Sequence, residues 1–212
     1  QGQWTNSRDV LMLDKGAKAW QKVASLPFAL SETVGAVLNG KVHLAGGRSP
    51  HSEQNGQWQH SLDVSTHLVF DPNSFTFKEA APLPSARNSA ASAQVNGRWF
   101  VLGGRTVGGE PITDMLEYLP ETDTWQAHAA LPKARAGHAA AVIDNAITVF
   151  GGEHSQGVDR EVFSYDLTKQ QWRKTFEWQT PRHGLGAVTL NGEIWLVGGA
   201  TKVGLSETSR EV

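Results

Sequence analysis

Apolar and polar positions alternate along this chain in a unit that recurs four times. Four continuous apolar runs each end on a glycine pair: "KVHLAGG" at Gly46-Gly47, "RWFVLGG" at Gly103-Gly104, "AITVFGG" at Gly151-Gly152 and "EIWLVGG" at Gly198-Gly199. A run apolar at every position fits a strand covered on both faces. A small-residue segment precedes each run: "VGAVL", "AASAQV", "HAAAVI" and "LGAVTL". The two are separated by Asn39-Gly40, Asn96-Gly97, Asp144-Asn145 or Asn191-Gly192. These residue types accept positive φ and suit two-residue hairpins. The pattern therefore predicts paired strands, called a and b, in each copy. The runs 41–45, 98–102, 146–150 and 193–197 are expected to be buried central strands.

A second register runs with the first. Leu13, Phe70, Tyr118 and Tyr165 each lie 33 residues before the first glycine of a pair. Trp20, Phe77, Trp125 and Trp172 follow them by 7. These residues mark strands c and d of each copy. Strand d is expected to end near Leu26-Pro27, Leu83-Pro84 and Leu131-Pro132, because proline is tolerated at a strand end. Four-stranded units at a period near 50 point to propeller blades.

Gly-Gly, then an aromatic residue, then Trp seven later resembles the kelch repeat over about residues 8–212. The resemblance implies an all-β, kelch-type β-propeller of four-stranded blades. It places a partial blade at 8–27, blades at about 28–84, 85–132 and 133–181, and a partial blade at 182–212, all within one domain spanning 1–212. The triplets Arg8-Asp9-Val10, Arg160-Glu161-Val162 and Arg210-Glu211-Val212 mark the same place, the start of strand c. Three closures follow: a four-bladed ring within one chain, an eight-bladed ring of two chains, or a longer propeller of which this is a piece. The repeated strand-c start is natural only for the third. The distance from Val10 to Val212 discriminates among them.

Composition narrows the functions. The 212 residues carry a net charge of −2, which argues against a general nucleic-acid binder. No apolar run approaches 18 residues, so no membrane span is expected. The absence of cysteine excludes disulfides, thiolate metal sites and the tyrosine–cysteine cross-link of galactose-oxidase-like copper chemistry. It does not choose a compartment. No metal or cofactor motif is present.

Candidate chemistry gathers on one face. The a–b turns are short, whereas the b–c connections vary, and the first carries about ten extra residues within 48–64. Loops on a rigid scaffold supply function. By register Arg87, Arg135 and Arg182 open strand a, Arg48, Arg105 and Glu153 follow the diglycines, and His138 and His183 lie nearby. Arginine suits bidentate anion recognition; the structural alternative is that these guanidiniums bond to blade carbonyls. His51, Glu53, His60 and Asp63 match no compact metal spacing, so a solvated loop is expected there. Trp58, inside that loop, either folds back or contacts a partner.

The leading reading is a binding module whose b–c/d–a face grips a protein segment or an anionic ligand. Kelch resemblance also admits a sugar-modifying enzyme like a kelch-type sialic acid epimerase or mutarotase, with Glu153 among arginines. A third reading is a structural fragment of a larger assembly.

Overall fold

The small-residue and apolar segments fold as antiparallel hairpins, and the turn chemistry explains their register. At every a–b turn both residues have positive φ: Asn39 and Gly40 at 50° and 74°, Asn96 and Gly97 at 51° and 76°, Asp144 and Asn145 at 49° and 58°, Asn191 and Gly192 at 54° and 78°. That is the type I′ geometry whose twist matches paired strands. The computed structural model describes residues 5–106, 108–204 and 207–211. It divides into two units, residues 1–88 and 89–212.

In the first unit, β1 (Ser7–Met12) pairs with β2 (Gln21–Leu30) as a lone hairpin, equivalent to strands c and d. A blade follows: β3 (Val34–Leu38), β4 (Lys41–Ala45), then β5 (Arg48–Pro50) and β6 (Ser61–Asp63) as a side hairpin, then β7 (His67–Asp71) and β8 (Thr76–Ala80). Its sheet order is β3-β4-β7-β8.

In the second unit, β9 (Ala91–Val95), β10 (Arg98–Leu102), β11 (Met115–Leu119) and β12 (Thr124–Ala127) form one four-stranded sheet in chain order. The next blade comprises β13 (Ala139–Ile143), β14 (Ala146–Phe150), β17 (Glu161–Asp166) and β18 (Gln171–Glu177), with β15 (Glu153–His154) and β16 (Gly157–Val158) as a side hairpin. The unit closes on the a–b hairpin β19 (Gly186–Leu190) and β20 (Glu193–Val197). The four-stranded antiparallel sheets are the units that the repeat predicts.

The seven-residue spacing of the aromatics has a direct cause. Phe70 lies opposite Phe77, Tyr118 opposite Trp125 and Tyr165 opposite Trp172 across each c–d hairpin. Ring centroids stand 4.8, 5.2 and 5.2 Å apart, within stacking range. The core of the second unit fills the space between its two complete sheets with Phe100, Leu102, Met115, Ile147, Val149 and Tyr165. A smaller cluster covers Ala141, Phe150 and Val162 with Trp178, Ala187, Ile194 and Leu196.

Three expectations change. Strand 193–197 is an edge of a two-stranded sheet, and Trp195 and Val197 stay 45% and 47% exposed, because no strand c pairs along it among the described residues. Leu13 and Trp20 are exposed as well, just past the last paired residues of the lone c–d hairpin, Met12 and Gln21. β2 runs through Leu26-Pro27 instead of ending there. Its ladder jumps from Asp9↔Ser25 to Ser7↔Leu30, so the proline sits in an irregular stretch that needs no N–H. Val212, one end of the distance that discriminates the closures, lies outside the described residues.

Candidate functional site

At three of the four diglycines, strand order brings the d–a connection against the residue just past the pair. Ser31 and Arg48 exchange backbone bonds of 3.0 and 2.8 Å, and His183 and Ala200 bonds of 3.0 and 2.9 Å. Ala136 and Glu153 form the same bridge at 3.4 and 2.8 Å. The diglycines reach the other way. Gly47 donates to the Arg87 carbonyl at 2.7 Å, while Gly104 and Gly152 donate to those of Arg135 and Arg182 at 3.0 Å each. Within the second unit the arginine position is therefore a junction between successive blades.

In the first unit, Arg48 is fully buried beneath Trp58, its guanidinium 3.7 Å from the ring centroid. Its NH2 also donates to the carbonyls of Trp58 and Ser61 at 2.5 and 3.4 Å. So Trp58 folds back onto the scaffold. The long loop is built rather than merely solvated, because a polar clasp replaces the apolar contacts it lacks. Asn6 donates from both its backbone N and Nδ2 to Asn55 Oδ1 at 2.9 Å each, and Asn55 Nδ2 returns a bond to the Asn6 carbonyl at 2.9 Å. Asn6 Nδ2 also donates to Ser61 Oγ at 2.7 Å. Residues 51–54 at the loop tip and Leu62 remain exposed. Arg87 is buried, with NH2 donating to Ser85 Oγ at 2.6 Å.

In the second unit, Arg105, Glu153 and His183 come together. Arg105 NH1 donates to Glu153 Oε1 at 2.7 Å, and the Gly204 amide donates to Oε2 at 3.1 Å. His183 Nδ1 stands 3.5 Å from Oε2, while its Nε2 lies 2.8 Å from the Lys202 carbonyl, which makes Nε2 the proton donor. Burial alone would raise the Glu153 carboxyl, but the Gly204 amide and Arg105 outweigh it and hold the pKa below its usual value. The cluster is a neutralised cation–carboxylate pair with a half-exposed arginine.

Arg135 and Arg182 aim elsewhere. Arg135 NH1 donates to the Gly151 and Glu161 carbonyls at 3.0 and 3.2 Å. Arg182 NH1 donates to the Glu211 carbonyl at 2.9 Å. Both are at most 4% exposed. His138 is buried with neither ring nitrogen hydrogen-bonded among the described residues, and burial, aided by Arg135, lowers its pKa to about 3. It is a neutral imidazole packed by the diglycines.

Pattern reading passed over Asn6, Asn55 and the set Arg98–Glu117–His128 built around the buried Glu117. The last had a signal: one acid inside the apolar strand "MLEYL" needs a buried partner.

Comparison with known proteins adds a lineage to this geometry. The family model described as the KLHDC2/KLHL20/DRC7 Kelch-repeats domain matches residues 36–209. Kelch-like protein 35 of Mus musculus is 28% identical over 204 residues, 96% of this chain and 33% of that protein. Its Homo sapiens counterpart is 37% identical over 198 residues, covering 92% and 31% respectively. Beta-scruin of Limulus polyphemus is 26% identical over 205 residues, covering 93% and 22%. The chain thus spans a third or less of the length of these curated relatives.

Proposed function

The chain belongs to the kelch-repeat family, and from that premise we propose that it is a protein-interaction module presenting its b–c/d–a loops to a protein segment. The observation that carries this reading is the Asn6–Asn55 clasp together with Trp58 seated on Arg48. A loop already fixed on its scaffold loses little conformational entropy on binding, which favours recognition by shape. Leu62, 54% exposed beside the polar loop tip, is an apolar anchor of the kind protein interfaces use. Family likeness supports the same protein-binding role.

A small anionic or sugar ligand is the less favoured reading. Buried Arg135 and Arg182 direct donors to backbone carbonyls, and the half-exposed Arg105 already meets Glu153. A photo-crosslinking residue placed at Leu62, and separately at the a–b turn residue Asn39, tests the proposal in cells. Protein adducts are expected from position 62 and not from 39. Adducts from 39 alone would sink the assignment of the binding end.

A further inference from the structure

Two successive blades of the second unit superimpose bond by bond at the start of strand c. Asp159 donates its amide to the Gly152 carbonyl at 2.8 Å, and Ser209 donates to the Gly199 carbonyl at 2.7 Å. Arg135 donates to the Glu161 carbonyl at 3.2 Å, and Arg182 to that of Glu211 at 2.9 Å. Residue 209 is therefore the counterpart of residue 159, and Arg182 of Arg135.

The chemistry at the two places differs. In the earlier blade a carboxylate faces the arginine: Asp159 Oδ2 lies 4.0 Å from Arg135 Nε, and Lys133 and His154 also approach it. In the later blade the arginine faces a hydroxyl, with Arg182 NH1 3.5 Å from Ser209 Oγ. Among the described residues no carboxylate side chain pairs with Arg182, and its Nε has no hydrogen-bond partner although the residue is 4% exposed. The fold itself does not require an acid here: Val64 and Ile112 donate their amides to Gly47 and Gly104 at this same position. Arg182 is thus a buried cation whose anionic partner, present one blade earlier, is replaced by a residue that can acquire negative charge.

We propose that Ser209 is a phosphorylation site, with Arg182 as the internal receptor of its phosphate. Ser209 Oγ attacks the γ-phosphorus of a nucleoside triphosphate bound to a protein kinase. Its proton passes to the kinase base, the bond to the β-γ bridging oxygen breaks, and nucleoside diphosphate departs. The flanking residues suit such access: Glu207, Thr208, Arg210 and Glu211 are exposed, and Ser209 is half-buried. A phosphate brings close to two negative charges and three acceptor oxygens, and arginine binds it through paired N–H groups. The modified residue restores the Asp159–Arg135 arrangement and fastens 207–211 to the Arg182 segment that leads into β19.

The test compares the full chain carrying genetically encoded phosphoserine at 209 with the unmodified chain, each also as Arg182→Gln. Phosphoserine is expected to raise Tm by about 2–4 °C, the shift expected of a ~1 kcal/mol contact in a protein of this size, and Arg182→Gln to abolish the gain. A Tm unchanged or lowered by phosphoserine overturns the receptor role. Should Arg182→Gln fail to fold, Ser209→Asp and Ser209→Asn decide in the native background: Asp alone should raise Tm, and equal values overturn it. Peptide mass spectrometry of protein isolated from its own cells with phosphatases blocked should find phosphate on Ser209. An unmodified serine across growth states overturns the modification itself.

Discussion

Arg98 grips Glu117 with two parallel bonds, Nε to Oε1 at 2.6 Å and NH2 to Oε2 at 2.7 Å. His128 Nε2 lies 2.7 Å from Oε2 on the other side. The carboxylate sits 5% exposed in the apolar strand β11. Burial would raise its pKa, but the bonds from Arg98 and His128 prevail and leave it below its usual value.

Because the folded-state pKa is depressed, the stability that Glu117 contributes is complete above the unfolded value of about 4.3 and is lost as pH falls through the folded value. Glu117→Gln should cost about 2 kcal/mol at pH 7, the scale of hydrogen bonds to a charged group. It should also flatten the acid limb. Urea midpoints measured from pH 7 to 3 on both proteins check this; parallel curves would refute it.

Two glycines allow a controlled comparison. Gly151 and Gly184 have nearly equal φ, +60° and +61°. A Cβ on Gly151 would stand 1.8 Å from the Arg182 carbonyl oxygen, while one on Gly184 meets nothing within 4 Å. Gly184→Ala should cost about 1 kcal/mol, the left-handed penalty alone. Gly151→Ala should cost about 1–3 kcal/mol more, the scale of a steric overlap. Equal unfolding midpoints would mean that the close approach is not what selects glycine.

Trp99 is fully buried in β10 and donates its Nε1–H to Ser92 Oγ at 2.8 Å. Trp99→Ala is expected to cost about 3–5 kcal/mol. The repeat-register residues Trp125 and Trp172 are only half-buried, so their truncation should cost roughly half of that, in proportion to the area buried. Denaturant unfolding of the three variants ranks them, and a larger loss at 125 or 172 would contradict this order.

That ranking separates what the sequence carried from what it hid. The spacing of Tyr118 and Trp125 marked strands c and d, and the fold sets the two opposite each other because seven residues span one c–d hairpin. Spacing says nothing about depth, and the buried tryptophan turned out to be Trp99, unremarked inside an apolar run. The positive-φ turns were legible because Asn and Gly at paired sites have few other uses. The Asn6–Asn55 clasp was not, because two polar residues 49 positions apart leave no periodic trace. The arginine register was visible, yet whether a guanidinium serves a ligand or a carbonyl depends on where the side chain ends.

His138 offers a fourth check. Its ring is buried without a hydrogen-bond partner among the described residues, and the equivalent position one blade later holds Leu185. The unfolded chain takes up a proton near the ordinary 6.5, whereas the folded chain does so near 3, so stability falls as pH drops between those values. His138→Leu should raise stability at pH 7 by about 1 kcal/mol, since an unsatisfied buried polar group is removed. It should also reduce the loss of stability between pH 6.5 and 4, measured by thermal unfolding. A destabilised variant would show that the imidazole has a role its bonding does not reveal.

In the second unit, main-chain bonds also join successive blades. Gly137 donates to the Ser89 carbonyl at 2.8 Å and Gly184 to that of Gly137 at 2.7 Å, beside the bonds from Gly104 and Gly152 to the next arginine's carbonyl. Such a seam reads no side-chain identity beyond the glycines. One module can drift in sequence, or be exchanged for another, while the stitch to its neighbour is preserved. Mutation is then free to explore the loops while the stitch holds, and only the apolar residues packed between neighbouring sheets must change together.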